Sequence, residues 1–202
     1  VEADVAAGAG RVGRLGQPGG RHVRRHVRLV VETAPARRIL LYRDPYDWVL
    51  ARARFFVSEE FSANLDHIKG GGLSVEQLLN MMIFGIYQKA PPLAEIYTHN
   101  AVAWLGTGVY LVRYEELVAS LKSLDSEESA AYFAALLDAC GIAPVPGDWR
   151  ERVRVGSDRK QSGTARENLT SSGLPFPDEL PEAQKRLVDF AVPRLRSLLG
   201  YA

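Results

Sequence analysis

Arg43 is the side chain from which chemistry can first be read. It closes Arg38-Ile39-Leu40-Leu41-Tyr42-Arg43-Asp44-Pro45-Tyr46-Asp47-Trp48, an apolar run that ends in Arg-Asp-Pro and opens into an amphipathic segment. Three apolar residues followed by Tyr42 suit a strand covered on both faces, as parallel strands are. Pro45 cannot sit inside a central strand and pushes Asp44 out of helical geometry, so the strand stops near Arg43. From Asp47 onward Trp48, Leu50, Ala51 and Phe55 recur at helical spacing, while Arg52 and Arg54 fall off that stripe. A guanidinium at the carboxyl end of a strand in an open α/β sheet offers a planar, permanently charged fork, and its natural ligand is a phosphate or a carboxylate. The plainer reading is an ordinary surface pair between Arg43 and Asp44.

Charge distribution agrees with an anion. The chain has 202 residues and a formal net charge of only +1, which speaks against a general nucleic-acid or membrane-surface binder. Locally it is uneven: Arg21 to Arg54 holds one dense arginine run, and Arg150, Arg152, Arg154, Arg159, Lys160 and Arg166 form another. Such runs are usually solvated faces, yet two that converge on one ligand suit a doubly phosphorylated nucleotide.

Three segments in one order resemble the cytosolic-type and bacterial sulfotransferases that use 3′-phosphoadenosine 5′-phosphosulfate. Arg43-Asp44-Pro45-Tyr46-Asp47 is similar to their 3′-phosphate strand and turn, Val112-Arg113-Tyr114-Glu115-Glu116-Leu117 to a later strand ending in Tyr-Glu-Asp/Glu-Leu, and Arg159-Lys160 to the loop that returns to the same phosphate. The resemblance runs from about Arg38 to the carboxyl end. It implies a three-layer α/β fold of the P-loop NTPase-like kind, a parallel sheet flanked by helices, here helix-rich and incomplete at its amino-terminal side. It implies transfer of a sulfuryl group from that nucleotide to a hydroxyl or amine of a small-molecule or glycan acceptor, with no metal. Carried over by position, Arg43 grips the 3′-phosphate, Arg159 and Lys160 close on it, and Tyr114 lies by the adenine. His22, twenty-one residues before Arg43, stands where the family has its base; a neutral imidazole there takes the acceptor's hydroxyl proton. His26 competes for that role, and both histidines also read as members of a basic, solvent-facing helix.

The chain departs from the family at several points. Ala51 replaces the serine eight residues after the arginine, which removes a hydroxyl donor worth about 1 to 3 kcal/mol. Gln161 stands where the loop has glycine, and Trp149 precedes Arg159 where an aromatic is expected after it. The Pro-Lys-Ser/Thr-Gly-Thr loop that wraps the 5′-phosphosulfate has no counterpart upstream of Arg43. A catalytically inactive remnant that keeps a nucleotide site, or a protein that only interacts with partners, therefore stands as the alternative. A kinase-like phosphotransferase is weaker, since neither its phosphate loop nor a magnesium-binding acid after a strand is found.

The remaining elements follow from local signals. Residues 1–20 carry six glycines, show no periodicity and read as irregular; Gly8-Ala9-Gly10-Arg11-Val12-Gly13 matches a dinucleotide fingerprint without the strand it requires. Residues 21–202 read as a single domain. Ser74-Val75-Glu76-Gln77 is a capping box, opening a helix expected to run through Ile86 toward Pro91-Pro92. A second helix follows from Pro92, then the Tyr114 strand, a helix near Glu115 to Leu121, and another from about Ser126 to Cys140. Residues 150–175, polar and rich in Gly, Ser and Thr, read as a long loop. The last helix starts near Pro181 and is bent or broken at Pro193. Met81, Met82 and Phe84 read as core or as the lining of an acceptor pocket, and His67 as a loop histidine near it. With the single Cys140, no transmembrane run and no signal-peptide pattern, the expected setting is the cytoplasm.

Overall fold

Two short parallel strands carry the turn at Arg43. β1 (Ile39–Tyr42) pairs with β2 (Tyr110–Arg113), Leu40 against Leu111 and Tyr42 against Arg113, so both strands deliver their last residues to the same edge. The computed structural model describes residues 37–61, 72–162, 165, 169 and 173–202. Within it Arg37–Ala202 forms one compact unit, and the expectations for residues 1–20 lie outside the described residues. The described part is α/β, rich in helix, with a sheet of two strands.

β1 departs from the sequence expectation in one respect. Leu40 and Tyr42 pack against the core, whereas Ile39 and Leu41 are exposed at 38% and 53%. Among the described residues the strand is covered on one face, because the helices bury their apolar sides against the face that carries Leu40 and Tyr42.

Each strand runs straight into a helix. Pro45 takes the first turn of α1 (Pro45–Phe56), where its missing N–H is no loss, and the Asp44 carboxylate caps it by accepting from the Tyr46 N–H at 2.9 Å. The face of α1 that is buried is Val49, Leu50 and Ala53, one position off the stripe of Trp48, Leu50, Ala51 and Phe55. Ala51 and Phe55 are freed from the core by this rotation. α2 (Val75–Phe84) begins with the expected capping box, both halves of which are present, and buries Leu78, Leu79, Met82 and Ile83. It ends a turn earlier than expected. Gly85 adopts φ +81°, and a side chain there would meet the Ala90 carbonyl at 2.7 Å, so the chain folds back into an Ile86–Ala90 bridge ahead of the prolines.

α3 (Leu93–Asn100) follows Pro92 and continues as a short 3₁₀ turn, Val102–Trp104. Beyond β2, Tyr114 is the first residue of α4 (Tyr114–Lys122), and α5 (Glu127–Ala139) is capped by the Ser126 hydroxyl. Residues 150–175 are not wholly a loop. α6 (Trp149–Gly156) forms there because Arg152 pairs with Asp148 at 2.9 Å, Arg154 with Glu151 at 3.2 Å, and Trp149 packs on the buried Phe133. A 3₁₀ turn, Arg159–Gln161, comes next. α7 (Glu182–Ala191) and α8 (Leu195–Leu198) are separated at Pro193 as expected.

Val49, Leu79, Met82, Leu93, Val188 and Leu195 meet in one core at 2% exposure or less. Full burial of side chains of this size stabilises by about 1.5 to 3 kcal/mol each. On the site side, the core is closed by polar contacts. Arg196, from α8, forms a two-pronged bond to the Asp44 carboxylate at 2.9 and 3.2 Å, and lies over the Tyr46 ring at 4.3 Å. Glu115 accepts from the Asp44 N–H at 3.0 Å and from the Tyr201 hydroxyl at 2.7 Å.

Asp44 thus serves a helix cap and an ion pair at once. Asp44→Ala is expected to lower the unfolding free energy in urea by about 1 to 3 kcal/mol, and Asp44→Asn, which retains a capping acceptor, by less. Equal losses in the two variants would show that the cap contributes nothing.

Candidate functional site

The Arg43 guanidinium lies at the carboxyl edge of the sheet, 4.7 Å over the Tyr114 ring. The two come together because β1 and β2 are parallel and in register, and each residue follows the last of its strand. Tyr97 fixes the backbone at this point by donating its hydroxyl to the Arg43 carbonyl at 2.9 Å. Burial pushes the Tyr97 hydroxyl well above the usual tyrosine range, which keeps it a neutral donor.

Arg43 does not pair with Asp44, whose carboxylate turns to Arg196. Its nearest acid is Asp47, one helical turn on, with Nη2 3.7 Å from Oδ2, which is an ion pair without hydrogen-bond geometry. The Nε atom is buried and has no hydrogen-bond partner among the described residues. Since that Nε is sealed from solvent, an anion would meet the terminal nitrogens of a guanidinium held by stacking.

Beside it is a cavity of about 630 Å³ lined by Arg43, Arg54, Arg159, Asp47, Asp178 and Ala51, with Tyr114 and Phe55 among its further walls. That volume is within the range of small-molecule sites. Three guanidinium-bearing residues face two carboxylates there, so the charge balance favours an anionic guest. Of the residues singled out in the sequence, Arg43, Tyr114 and Arg159 share this cavity. Lys160 is exposed and not part of the lining; its N–H is taken by the Asp158 carboxylate at 3.0 Å. His22, His26, His67 and Arg166 lie outside the described residues.

From the sequence Arg54 reads only as part of a basic run and not as a site residue. Asp47, Ala51 and Arg54 recur at four and three residues and so share a face of α1, and that face lines the cavity. The signal was present but read against the wrong stripe. Its guanidinium is anchored on the Pro177 carbonyl. Arg52, two residues earlier, plays a structural part. It bridges to the Pro91 carbonyl with both terminal nitrogens at 3.1 Å and covers Trp48 at 4.8 Å, and burial lowers it to about 10. Much of the second basic run is likewise engaged, with Arg152 and Arg154 in ion pairs and Arg150 stacked on Trp149.

The geometry can bind a phosphate-bearing or carboxylate-bearing molecule through two converging arginine segments. No protein-family model matches the sequence, and no curated protein and no solved structure matches the chain. Among the described residues no helix is long and apolar enough to cross a membrane.

Asp47 reports on this site. Partial burial raises its carboxyl above the usual range, and Arg43 opposes the rise. A carboxyl raised in the folded state favours folding below its unfolded pKa, and that contribution is lost as pH climbs through the folded value. Arg43→Ala removes the opposing charge, so the Asp47 pKa is expected to rise further, measured by carboxyl NMR titration. A fall, or no change, would show that the two side chains are not coupled.

Proposed function

We propose that the charged cavity binds the nucleotide half of 3′-phosphoadenosine 5′-phosphosulfate, and that the chain is a sulfotransferase-like protein with an α/β sheet of P-loop NTPase-like ancestry. The observation that carries this reading is the convergence of Arg43, stacked on Tyr114, with Arg159 on one cavity, although 116 positions separate the two arginines in the chain. Ala51 lines the same cavity. It occupies the position at which the family resemblance calls for a hydroxyl donor, so the registration of α1 against the phosphate agrees with the reading even though the donor is lost.

The residues present fit a phosphate. Arg43 supplies a fork of donors, Arg54 and Arg159 add positive charge, and Tyr114 offers an aromatic ring at the cavity wall for a base. The phosphosulfate, when bound, supplies an electrophilic sulfur and a good leaving group. In this reading His22 takes the proton of the attacking hydroxyl or amine, and the acceptor is a small molecule or a glycan. The chain's own contribution to the nucleotide half is binding and orientation: the Arg43 carbonyl is tied to Tyr97, so its side chain leaves a fixed point.

Calorimetric titration with adenosine 3′,5′-bisphosphate tests the reading. Binding is expected to be tighter than that of adenosine 5′-monophosphate, since only the former carries the 3′-phosphate. Arg43→Ala is expected to weaken the bisphosphate by about 10- to 100-fold, the worth of a charge-assisted pair. No binding, or binding indifferent to the substitution, would remove the nucleotide site.

A further inference from the structure

On another side of Arg43 is a second, smaller cavity of about 220 Å³ between the end of β1, where Leu41 and Tyr42 line it, and α3, where Asn100 adds a polar side chain to the wall. Leu41 and Ile96 supply aliphatic walls, Trp48, Tyr97 and Tyr114 supply rings, and Ala101 leaves room where a larger residue would fill it. Trp48 and Tyr97 stand edge to face, 5.5 Å between centroids at 82°, and the Tyr97 hydroxyl is tied to the Arg43 carbonyl. The rings are therefore held in place before any ligand arrives. Leu41, half exposed on a strand whose neighbours Leu40 and Tyr42 join the core, keeps apolar surface in water that a guest would cover.

Size and charge narrow the guest. An apolar cavity of about 150 Å³ takes benzene, so this one accommodates a single ring with a small substituent. Among the described residues Arg43 is the one charged side chain in its lining, in contrast to the larger cavity, where Asp47 and Asp178 also contribute. A ring placed among Trp48, Tyr97 and Tyr114 with its substituent toward Arg43 matches both features, and a carboxylate is the planar group that a guanidinium fork fits best.

We infer that this cleft is a binding site for a monocyclic aromatic carboxylate, separate from the charged cavity and linked to it through Arg43. Since one guanidinium borders both, an anion in either cavity weakens the other. The inference does not depend on the nucleotide reading, because the walls of the cleft include no residue beyond Arg43 and Tyr114 that the larger cavity uses.

The test is calorimetric or NMR titration of the full chain with benzoate, alongside acetate, which has the charge without the ring, and benzyl alcohol, which has the ring without the charge. Benzoate is expected to bind at least about tenfold more tightly than either, and Arg43→Gln to bring it down to the level of benzyl alcohol. Leu41→Gln, at a half-exposed position, is expected to weaken benzoate about fivefold or more while leaving adenosine 3′,5′-bisphosphate unaffected. Ile96→Gln on the opposite wall gives the same reading should Leu41→Gln lose its circular-dichroism spectrum. Benzoate no tighter than acetate, or unchanged in both wall variants, overturns the inference. So does an equal loss of bisphosphate and benzoate in Leu41→Gln, which would assign the cleft to the nucleotide's base. Failure of the bisphosphate to bind, with benzoate behaving as expected, counts against the nucleotide reading alone.

Discussion

The turn at Arg43-Asp44 is the constraint on which the rest depends, and it is held from three directions. Tyr97 on α3 bonds the Arg43 carbonyl, Glu115 on α4 bonds the Asp44 N–H, and Arg196 on α8 bonds the Asp44 carboxylate. Each bond satisfies a backbone or charged group that would be costly to leave unpaired in a partly buried place. Together they tie three helices to the residue where β1 becomes α1. The carboxyl-terminal stretch joins the same arrangement: Tyr201 reaches Glu115, and Arg113 reaches the Gly200 carbonyl at 2.8 Å. Burial and the Glu115 partner raise the Tyr201 hydroxyl well above its ordinary range, so it persists as a donor at any physiological pH. Precision in the placement of Arg43 is thus a property of the whole unit and not of β1 alone.

Neighbouring arginines on α1 show how position decides role. Arg52 and Arg54 are two residues apart, so a helix sends them in directions about 160° apart. Arg52 lies over Trp48 and Phe56 and caps the Pro91 carbonyl, where its long stem replaces an apolar side chain in closing the core. Arg54 faces the charged cavity. Counting both as one basic cluster overstates the charge that a ligand meets. Only the turn of the helix, which is fixed by Val49, Leu50 and Ala53 going inward, separates the structural cation from the one that faces a guest.

Local chemistry was legible in the sequence and long-range chemistry was not. The stop of β1 at Pro45, the Ser74 capping box and the break at Pro193 each depend on a few consecutive residues, and each is found. The early end of α2 depends on Gly85 adopting a positive φ against the Ala90 carbonyl, a close approach that only the folded chain creates. α6 escaped notice because its arginines read as loop polarity, whereas their partners at three- and four-residue spacing, with Trp149 on Phe133, make a helix. Arg43, Tyr114 and Arg159, grouped from the sequence around one nucleotide, line one cavity; Lys160, grouped with them, does not, and Arg54 reads there only as part of a basic run. The Asp44–Arg196 pair spans 152 positions, and nothing near Asp44 announces its partner.

Asp47 gives the site a further property that follows from electrostatics alone. Its carboxyl is raised by burial and lowered by Arg43, so its protonation depends on how much of the Arg43 charge it feels. An anion that docks on Arg43 neutralises part of that charge and adds its own negative field beside Asp47. Both effects would raise the Asp47 pKa further, so binding of an anion there would be coupled to uptake of a proton. By reciprocity, an anion would bind more tightly as pH falls toward the range where Asp47 protonates, until the ligand itself takes protons. Asp178, on the same cavity wall, adds to the repulsion that an incoming anion meets. Two acids among three arginines would therefore weaken an anion's binding at neutral pH, and they also offset the cluster of positive charge to which the partly buried guanidinium of Arg43 belongs.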